Sequence, residues 1–296
     1  MIASEEPGKL ITKVTMKKIL TSIILCFVAI AASAQQKADI EVSYTAHRPN
    51  PRNGKDDVTD QYILLANTTE SKFYSPLTEY IDSLNSSPEG KAKLNEMTRA
   101  AFTSGNLDDI PTVDGSFYVV KSITESKLRH YDHGRLEEKF VYEEPITPWD
   151  WEITVDSTKT VLGYECIMAS TDYHGRKWTV WFAPEIPVQN GPWKLDGLPG
   201  LILYAEAEGG QYSFVVTGIQ QTDKIIGPVY LADDYETTTR KEYLKAERDF
   251  LDNPLGKINA KFAGHGTISV SSSDGKDINS LFVPASVVDF LETDYR

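Results

Sequence analysis

Apolar and polar residues alternate along most of the chain, and helical spacing interrupts that pattern in two stretches. Ile40 to Ala46 and Tyr62 to Ala66 alternate as strands do, with the polar loop Arg48-Pro49-Asn50-Pro51-Arg52-Asn53-Gly54 between them. Ser75-Pro76 then reads as an N-cap with proline at the first helical position. Leu77, Tyr80, Ile81 and Leu84 follow at helical spacing. Ser87-Pro88 repeats the start signal, with Leu94, Met97 and Ala101 as a second stripe. Strand patterning returns over Ser116 to Val141, broken near Asp132-His133-Gly134. It continues through Trp149 to Val155, Val161 to Thr171 and Arg176 to Phe182, the last two joined by a turn at Tyr173-His174-Gly175. Leu201 to Ala205 and Tyr212 to Gly218 form a further hairpin across Glu208-Gly209-Gly210. Thr239-x-x-Glu242 fits a capping box for a helix ending near Leu251, before Asn253-Pro254. The tail to Arg296 has no clear period.

These elements predict a mainly β fold (α+β) built on a curled antiparallel sheet, half-barrel or barrel-like. Two short helices are inserted near the N-terminus and one lies near the C-terminus. Turn-linked strands pair antiparallel, and so long a sheet must curl or fold over to bury its apolar face. Helices against the concave side would leave an apolar cavity.

The N-terminus changes the picture. Met16-Lys17-Lys18 precedes an apolar run, Ile19 to Ile30, and Ala31-Ala32-Ser33-Ala34 ends in an Ala-x-Ala pattern before Gln35. This is the layout of a cleavable secretory signal, with translation expected to start at Met16. The run is about 12 residues, short of the roughly 20 a spanning helix needs. Residues 1–34 are therefore expected to be a signal peptide, and residues 35–296 a single β-rich domain in the periplasm or outside the cell, not spanning the membrane. Cys26 follows Leu25 inside the apolar run, a poor context for a lipidated cysteine.

The full chain carries a net charge of −13 from 30 basic and 43 acidic residues. Cleavage would remove four lysines and two glutamates, leaving −15. That balance opposes binding to nucleic acid or to an anionic lipid surface. Cys166 would be the sole remaining cysteine, so no intramolecular disulfide can form, and its strand context makes it a small core residue.

The densest region runs from Gly163 to Leu203. Trp178, Trp181 and Trp193 sit among several glycines and prolines, and Pro199-Gly200 suits the centre of a type II turn. Gly197-Leu198-Pro199-Gly200-Leu201-Ile202 resembles the motif that names the GLPGLI family. Ser71-Lys72-Phe73-Tyr74-Ser75, Gly163-Tyr164-Glu165-Cys166, Gly175-Arg176, Trp181-Phe182, Glu185-Ile186-Pro187 and Gly191-Pro192-Trp193 are similar to that family's segments in the same order. The resemblance covers roughly Ile40 to Gln220. It implies a secreted or periplasmic protein of Gram-negative bacteria, in a family of undefined activity with some members linked to outer-membrane TonB-dependent receptors. Two readings of the region stay open. Arg176, Trp178, Trp181, Gly191, Pro192, Trp193, Gly197, Leu198, Pro199 and Gly200 could form a binding surface. Alternatively the tryptophans fill the core and the loop only turns the chain.

Catalytic and metal motifs are missing: no Gly-x-Ser-x-Gly, His-Glu-x-x-His, Cys-x-x-Cys, P-loop or Gly-x-Gly-x-x-Gly occurs. His130 and His133 would point to opposite faces of a strand. His47, His174 and His265 sit in loop-like sequence and read as solvated. Asp108-Asp109, Glu137-Glu138, Glu143-Glu144 and Asp233-Asp234 read as surface charge. No catalytic residue, metal or cofactor is therefore expected. The expected role is a non-catalytic binding or assembly factor of the cell envelope, partnered by an outer-membrane receptor, another envelope protein or an apolar small molecule. The alternatives are a periplasmic carrier of an apolar ligand, or a hydrolase-like enzyme using Arg176, His174 and nearby carboxylates.

Overall fold

The computed structural model describes residues 36–50, 57–106, 110, 117–134, 138–261, 284–286 and 288–294. The expected signal peptide, His265, Asp108-Asp109 and Glu137 lie outside them. Lys37–Arg296 is one compact unit. No helix among the described residues is long and apolar enough to cross a membrane.

The protein is mainly β, an open curled sheet of twelve strands. Six of them follow one another outward: β1 (Ile40–Pro49), β2 (Asp57–Ala66), β3 (Glu70–Tyr74), β4 (Phe117–Ser122), β5 (Lys127–His133) and β6 (Lys139–Pro145). The chain then passes to the far edge and returns through β7 (Glu152–Val161), β8 (Tyr164–Tyr173), β9 (Arg176–Ala183), β10 (Leu201–Ala207) and β11 (Ser213–Gln221). β11 pairs antiparallel with β1 and unites the two meanders. A two-residue strand, β12 (Glu236–Thr237), pairs parallel with β6.

One connection proves the curl. Ten strand steps separate β6 from β7, which would put them about 48 Å apart in a flat sheet. Only Ile146–Trp151 joins them, a span of at most about 25 Å. The ends of the sheet must therefore approach each other, although they do not pair.

The inner face is an aromatic core drawn from both meanders, including Tyr44, Tyr62, Phe73, Phe117, Trp178 and Phe214. Tyr62 stacks on Phe73 at 4.8 Å, and Phe73 meets Phe214 edge-on at 6.0 Å. Cys166 is fully buried here, and burial pushes its thiol pKa up, which suits an inert core residue.

The inserted helices are α1 (Pro76–Asn85) and α2 (Pro88–Ser104), capped by Ser75 and Ser87 as expected. They do not line the concavity. Asp82 of α1 accepts a hydrogen bond at 2.8 Å from Tyr118, whose side chain alternates away from Phe117 and Val119 to the outer face. The buried stripe of α1 is Thr78, Ile81 and Asp82, while Leu77 and Tyr80 are exposed, because the helix rotates to bring Asp82 to Tyr118. The C-terminal helix takes the inner side instead. α3 (Arg240–Asp252) carries the expected capping box and packs Tyr243 on Tyr142 of β6. Beyond Asn253, a further short helix, α4 (Pro254–Lys261), was not foreseen.

Several strand boundaries also differ from expectation: β1 runs on through Arg48-Pro49, which were expected in the loop, and β2 already begins at Asp57. β7 starts at Glu152 because Trp149 and Trp151 turn aside to donate their indole N–H groups to Asp196. Val161 ends β7, and a tight turn at Leu162-Gly163, both with positive φ, starts β8 at Tyr164.

Candidate functional site

The segment Pro184 to Gly200 leaves β9, crosses the inner face and returns as β10. Most of it is interior. Gly191, Pro192, Trp193, Leu198 and Gly200 are buried, as is Trp178 on β9; Trp181 is half-buried, and Gly197 and Pro199 are exposed. Trp193 packs 5.4 Å from Trp178 and 5.6 Å from Tyr173. The expected type II turn at Pro199-Gly200 is absent, since Gly200 lacks the positive φ it requires. Instead Gly200 N–H donates to Leu198 C=O at 2.8 Å, a three-residue turn centred on Pro199. Glycine serves there because a Cβ would run into the Ala183 carbonyl. The left-handed positions are Trp193 and Gly197.

Two buried lysines hold this loop. Lys121 of β4 lies 2.9 Å from Asp196 and donates to Asn190 Oδ1 at 3.2 Å and to Leu195 C=O at 3.1 Å. Burial lowers its pKa while Asp196 opposes the shift. Lys194, fully buried, reaches the other way. It donates to Tyr142 Oη at 3.2 Å, to Glu292 at 2.7 Å and to Glu144.

Glu292 belongs to a strap, Val288 to Asp294, that lies across the end of the inner face. Arg176 on β9 donates to Asp289 at 2.5 Å and to the carbonyls of Phe290 and Leu291. Tyr212 donates to the Asp289 carbonyl at 2.5 Å. Arg240 of α3 pairs with Glu292 and Asp294, and Arg248 donates to the Glu292 carbonyl at 3.1 Å. The hairpin turn at His174-Gly175 receives the far end. Thr293 N–H donates to His174 C=O and its hydroxyl to Gly175 C=O, both at 2.9 Å. A Cβ on Gly175 would collide with Thr293. His174 is not the solvated residue its sequence suggested, and Glu144 is not a surface charge. His174 lies 3.0 Å from Glu144 and 3.4 Å from Asp294, because the strap closes over both. His47, by contrast, is exposed on β1.

The resulting cluster joins Glu144, Glu292 and Asp294 to Lys194, Arg240 and His174. Burial raises each carboxylic acid's pKa, and the cations more than offset it. His174 and Lys194 bring Glu144 down to about 2; Lys194, His174 and Arg240 lower Glu292; Arg240 and His174 lower Asp294. Donor atoms of His174, Glu292 and Asp294 lie within 4.8 Å of one another, as metal ligands would. Two fixed cations already pair with those carboxylates, so a divalent ion would meet Lys194 and Arg240 at close range. The set suits a structural clasp.

The open part of the inner face lies next to this clasp. A cleft of about 230 Å³ is bounded by β4–β6, α3 and the strap. Its walls carry Phe117, His130, Tyr142, Tyr212 and Tyr243, with Asp132, Glu247, Asp289, Glu292 and Arg48 around them. His130 is 4% exposed and stacks between Phe117 at 5.1 Å and Tyr142 at 4.9 Å. Its Nε2 lies 3.3 Å from Asp132 Oδ2, which also accepts from Tyr243 Oη at 2.6 Å. Its Nδ1 has no hydrogen-bond partner among the described residues. His133 also borders the cleft, while its Nε2 lies 2.9 Å from Tyr235 Oη.

None of the ten residues named from the sequence lines this cleft. His130, Asp132, Tyr142, Tyr212 and Tyr243 were missed as a site. Alternation along Lys127–His133 does place Leu128, His130 and Asp132 on one face, so part of the signal was present.

The fold and site define a curled-sheet protein with an inner cleft and a clasped C-terminal strap. Among known proteins, a family described as "Protein of unknown function (Porph_ging)" matches residues 171–204, from the end of β8 to β10. No curated protein matches the chain. In fold it is similar to PNGF-II, solved in space groups P21 and C2. The identities are 13% and 12%, the TM-scores 0.46 and 0.45, and 71% and 70% of this chain is covered. The chain spans about a third of the length of those structures, 33% and 32%.

Proposed function

We propose that the chain is an exported, GLPGLI-type binding protein of the bacterial cell envelope, and that it holds a small molecule in the inner cleft. The secretory signal expected at residues 1–34 supports export to the periplasm or beyond. The observation that carries the ligand reading is the cleft itself: a ring-lined concavity of about 230 Å³ left open beside the packed aromatic core. Apolar walls with a few convergent polar groups are the usual make-up of small-ligand sites. The motif loop supports the site from behind, since Lys194 holds Tyr142 by its hydroxyl while the Tyr142 ring forms a wall. Arg176 and His174 are both engaged by the strap, which supports a structural role for them in this reading.

A second reading, docking to an outer-membrane receptor or other envelope protein, is favoured by Leu77, Tyr80 and Phe102, exposed on α1 and α2. Native mass spectrometry of protein purified gently from its own envelope separates the two. The ligand reading expects a small-molecule mass excess that is lost on denaturation. A bare chain mass together with a co-purifying protein would overturn it in favour of docking.

A further inference from the structure

We propose that the face beneath the strap is a groove for an extended acidic peptide, filled in this structure by the chain's own Val288 to Asp294, and that it also takes the same segment of a second copy. This holds whether or not the cleft takes a ligand.

The first observation is how the strap is held. It adds no strand to the sheet. Side chains of the scaffold grip its main chain instead, at four successive carbonyls. Tyr212 donates to Asp289 C=O at 2.5 Å, Arg176 to Phe290 C=O at 3.2 Å and to Leu291 C=O at 3.0 Å, and Arg248 to Glu292 C=O at 3.1 Å. The next residue, Thr293, donates its N–H to His174 C=O at 2.9 Å. Contacts of this kind hold an extended peptide whatever its side chains, as main-chain bonds do where a peptide adds to a sheet edge.

The second is what selects the sequence. Each strap carboxylate meets a cation: Asp289 meets Arg176, Glu292 meets Lys194, and Asp294 meets Arg240. Charge-assisted pairs are strong and geometrically selective. Phe290 has its ring 4.2 Å from the Arg248 guanidinium, and Leu291 packs against the aromatic core. The groove therefore fits Asp-Phe-Leu-Glu-x-Asp.

The third is charge. The whole chain is at −13, yet this face gathers Arg176, Lys194, Arg240 and Arg248. The scaffold supplies Glu144 to Lys194 and Arg240, and the strap brings the other three carboxylates. The complement is an acidic segment, and every copy of the chain carries one that fits. A segment held by side chains rather than by a strand ladder suits exchange, and exchange of an identical element is a low-cost route to a dimer.

The test titrates a fluorescein-labelled, end-capped peptide of residues 288–294 into the full chain, read by anisotropy. The titration is repeated on the full chain carrying Asp289→Asn, Glu292→Gln and Asp294→Asn, whose own strap competes less. Glu144 still pairs with Lys194 and Arg240 in that variant. The peptide is expected to bind the variant roughly tenfold more tightly than the wild type, since competition in cis is relieved. A scrambled peptide of the same composition is expected to bind roughly tenfold more weakly than the native one. Asp289→Asn alone leaves the Lys194 pairs intact and should show a smaller gain in the same direction, which keeps the test decisive where the triple variant fails to fold. Sedimentation of the wild type should show a dimer that grows with concentration and is suppressed by excess peptide. Equal binding of native and scrambled peptides would mean charge attraction only and would overturn the groove, as would no binding to either variant. A wild type that stays monomeric at every concentration would overturn the second copy as its occupant.

Discussion

The two ends of the inner face handle buried polarity in opposite ways. Around Lys194, charges from β6, the β8–β9 turn, the motif loop, α3 and the strap close on one another until each has a partner. Around His130, the same face stops short of closure, with an open cleft beside the ring and one buried nitrogen without a partner. Tyr142 belongs to both ends, its hydroxyl bonded to Lys194 and its ring stacked on His130. The difference separates architecture from recognition. A closed set of ion pairs has little room to offer a ligand, whereas an unfilled wall does.

Breaking the closed end gives the largest expected effect. Lys194→Met should cost roughly 3–5 kcal/mol in urea unfolding, because it strands Glu144 and Glu292 in the interior. Adding Glu144→Gln and Glu292→Gln to it should recover part of that loss. A single variant as stable as the wild type would show that the clasp does not matter. Leu198→Ala, at a site 1% exposed in the motif loop, should follow with roughly 2–4 kcal/mol, read the same way.

Acid should act on the closed end too. The folded pKa values of Glu144, Glu292 and Asp294 are lowered, so their contribution is complete above the ordinary carboxylate range. For Glu144 it is lost as pH falls from about 4.5 towards 2. The urea midpoint should drop over that window, and less steeply in the charge-neutralised triple variant. Arg176→Ala should cost about 2 kcal/mol and raise proteolysis of the strap several-fold, since Asp289 and two carbonyls lose their donor. At the open end, His130→Phe should cost only about 1 kcal/mol, because the ring stack is kept, Nδ1 had no partner, and Asp132 loses the long contact to Nε2 but keeps Tyr243 as a donor. A cost near that of Lys194→Met would erase the contrast between the two ends.

The contrast also explains what the chain revealed in advance. Period-two patterning and turn residues were enough for the mainly β, curled antiparallel sheet, the three foreseen helices and their caps, because these depend on neighbours in sequence. The motif region was conspicuous for the same reason that it is structural. Glycine, proline and tryptophan crowd together where a loop must cross a packed interior, as Gly200 against Ala183 and Trp193 against Trp178 show. The cleft was not legible. Asp132 meets Tyr243 across 111 residues and Lys194 meets Glu292 across 98, and no local pattern encodes such meetings. Even the solvated look of His174 was correct for a turn in isolation and failed only because the strap returns to cover it.

The most direct measurement is a crystal structure of the full chain soaked in phenol. Density for one ring in the cleft among Phe117, Tyr142 and Tyr243, with the Lys194 clasp unchanged, is the predicted result. Phenol seated only on the outer surface near Leu77, Tyr80 and Phe102, with the cleft empty, would contradict the account.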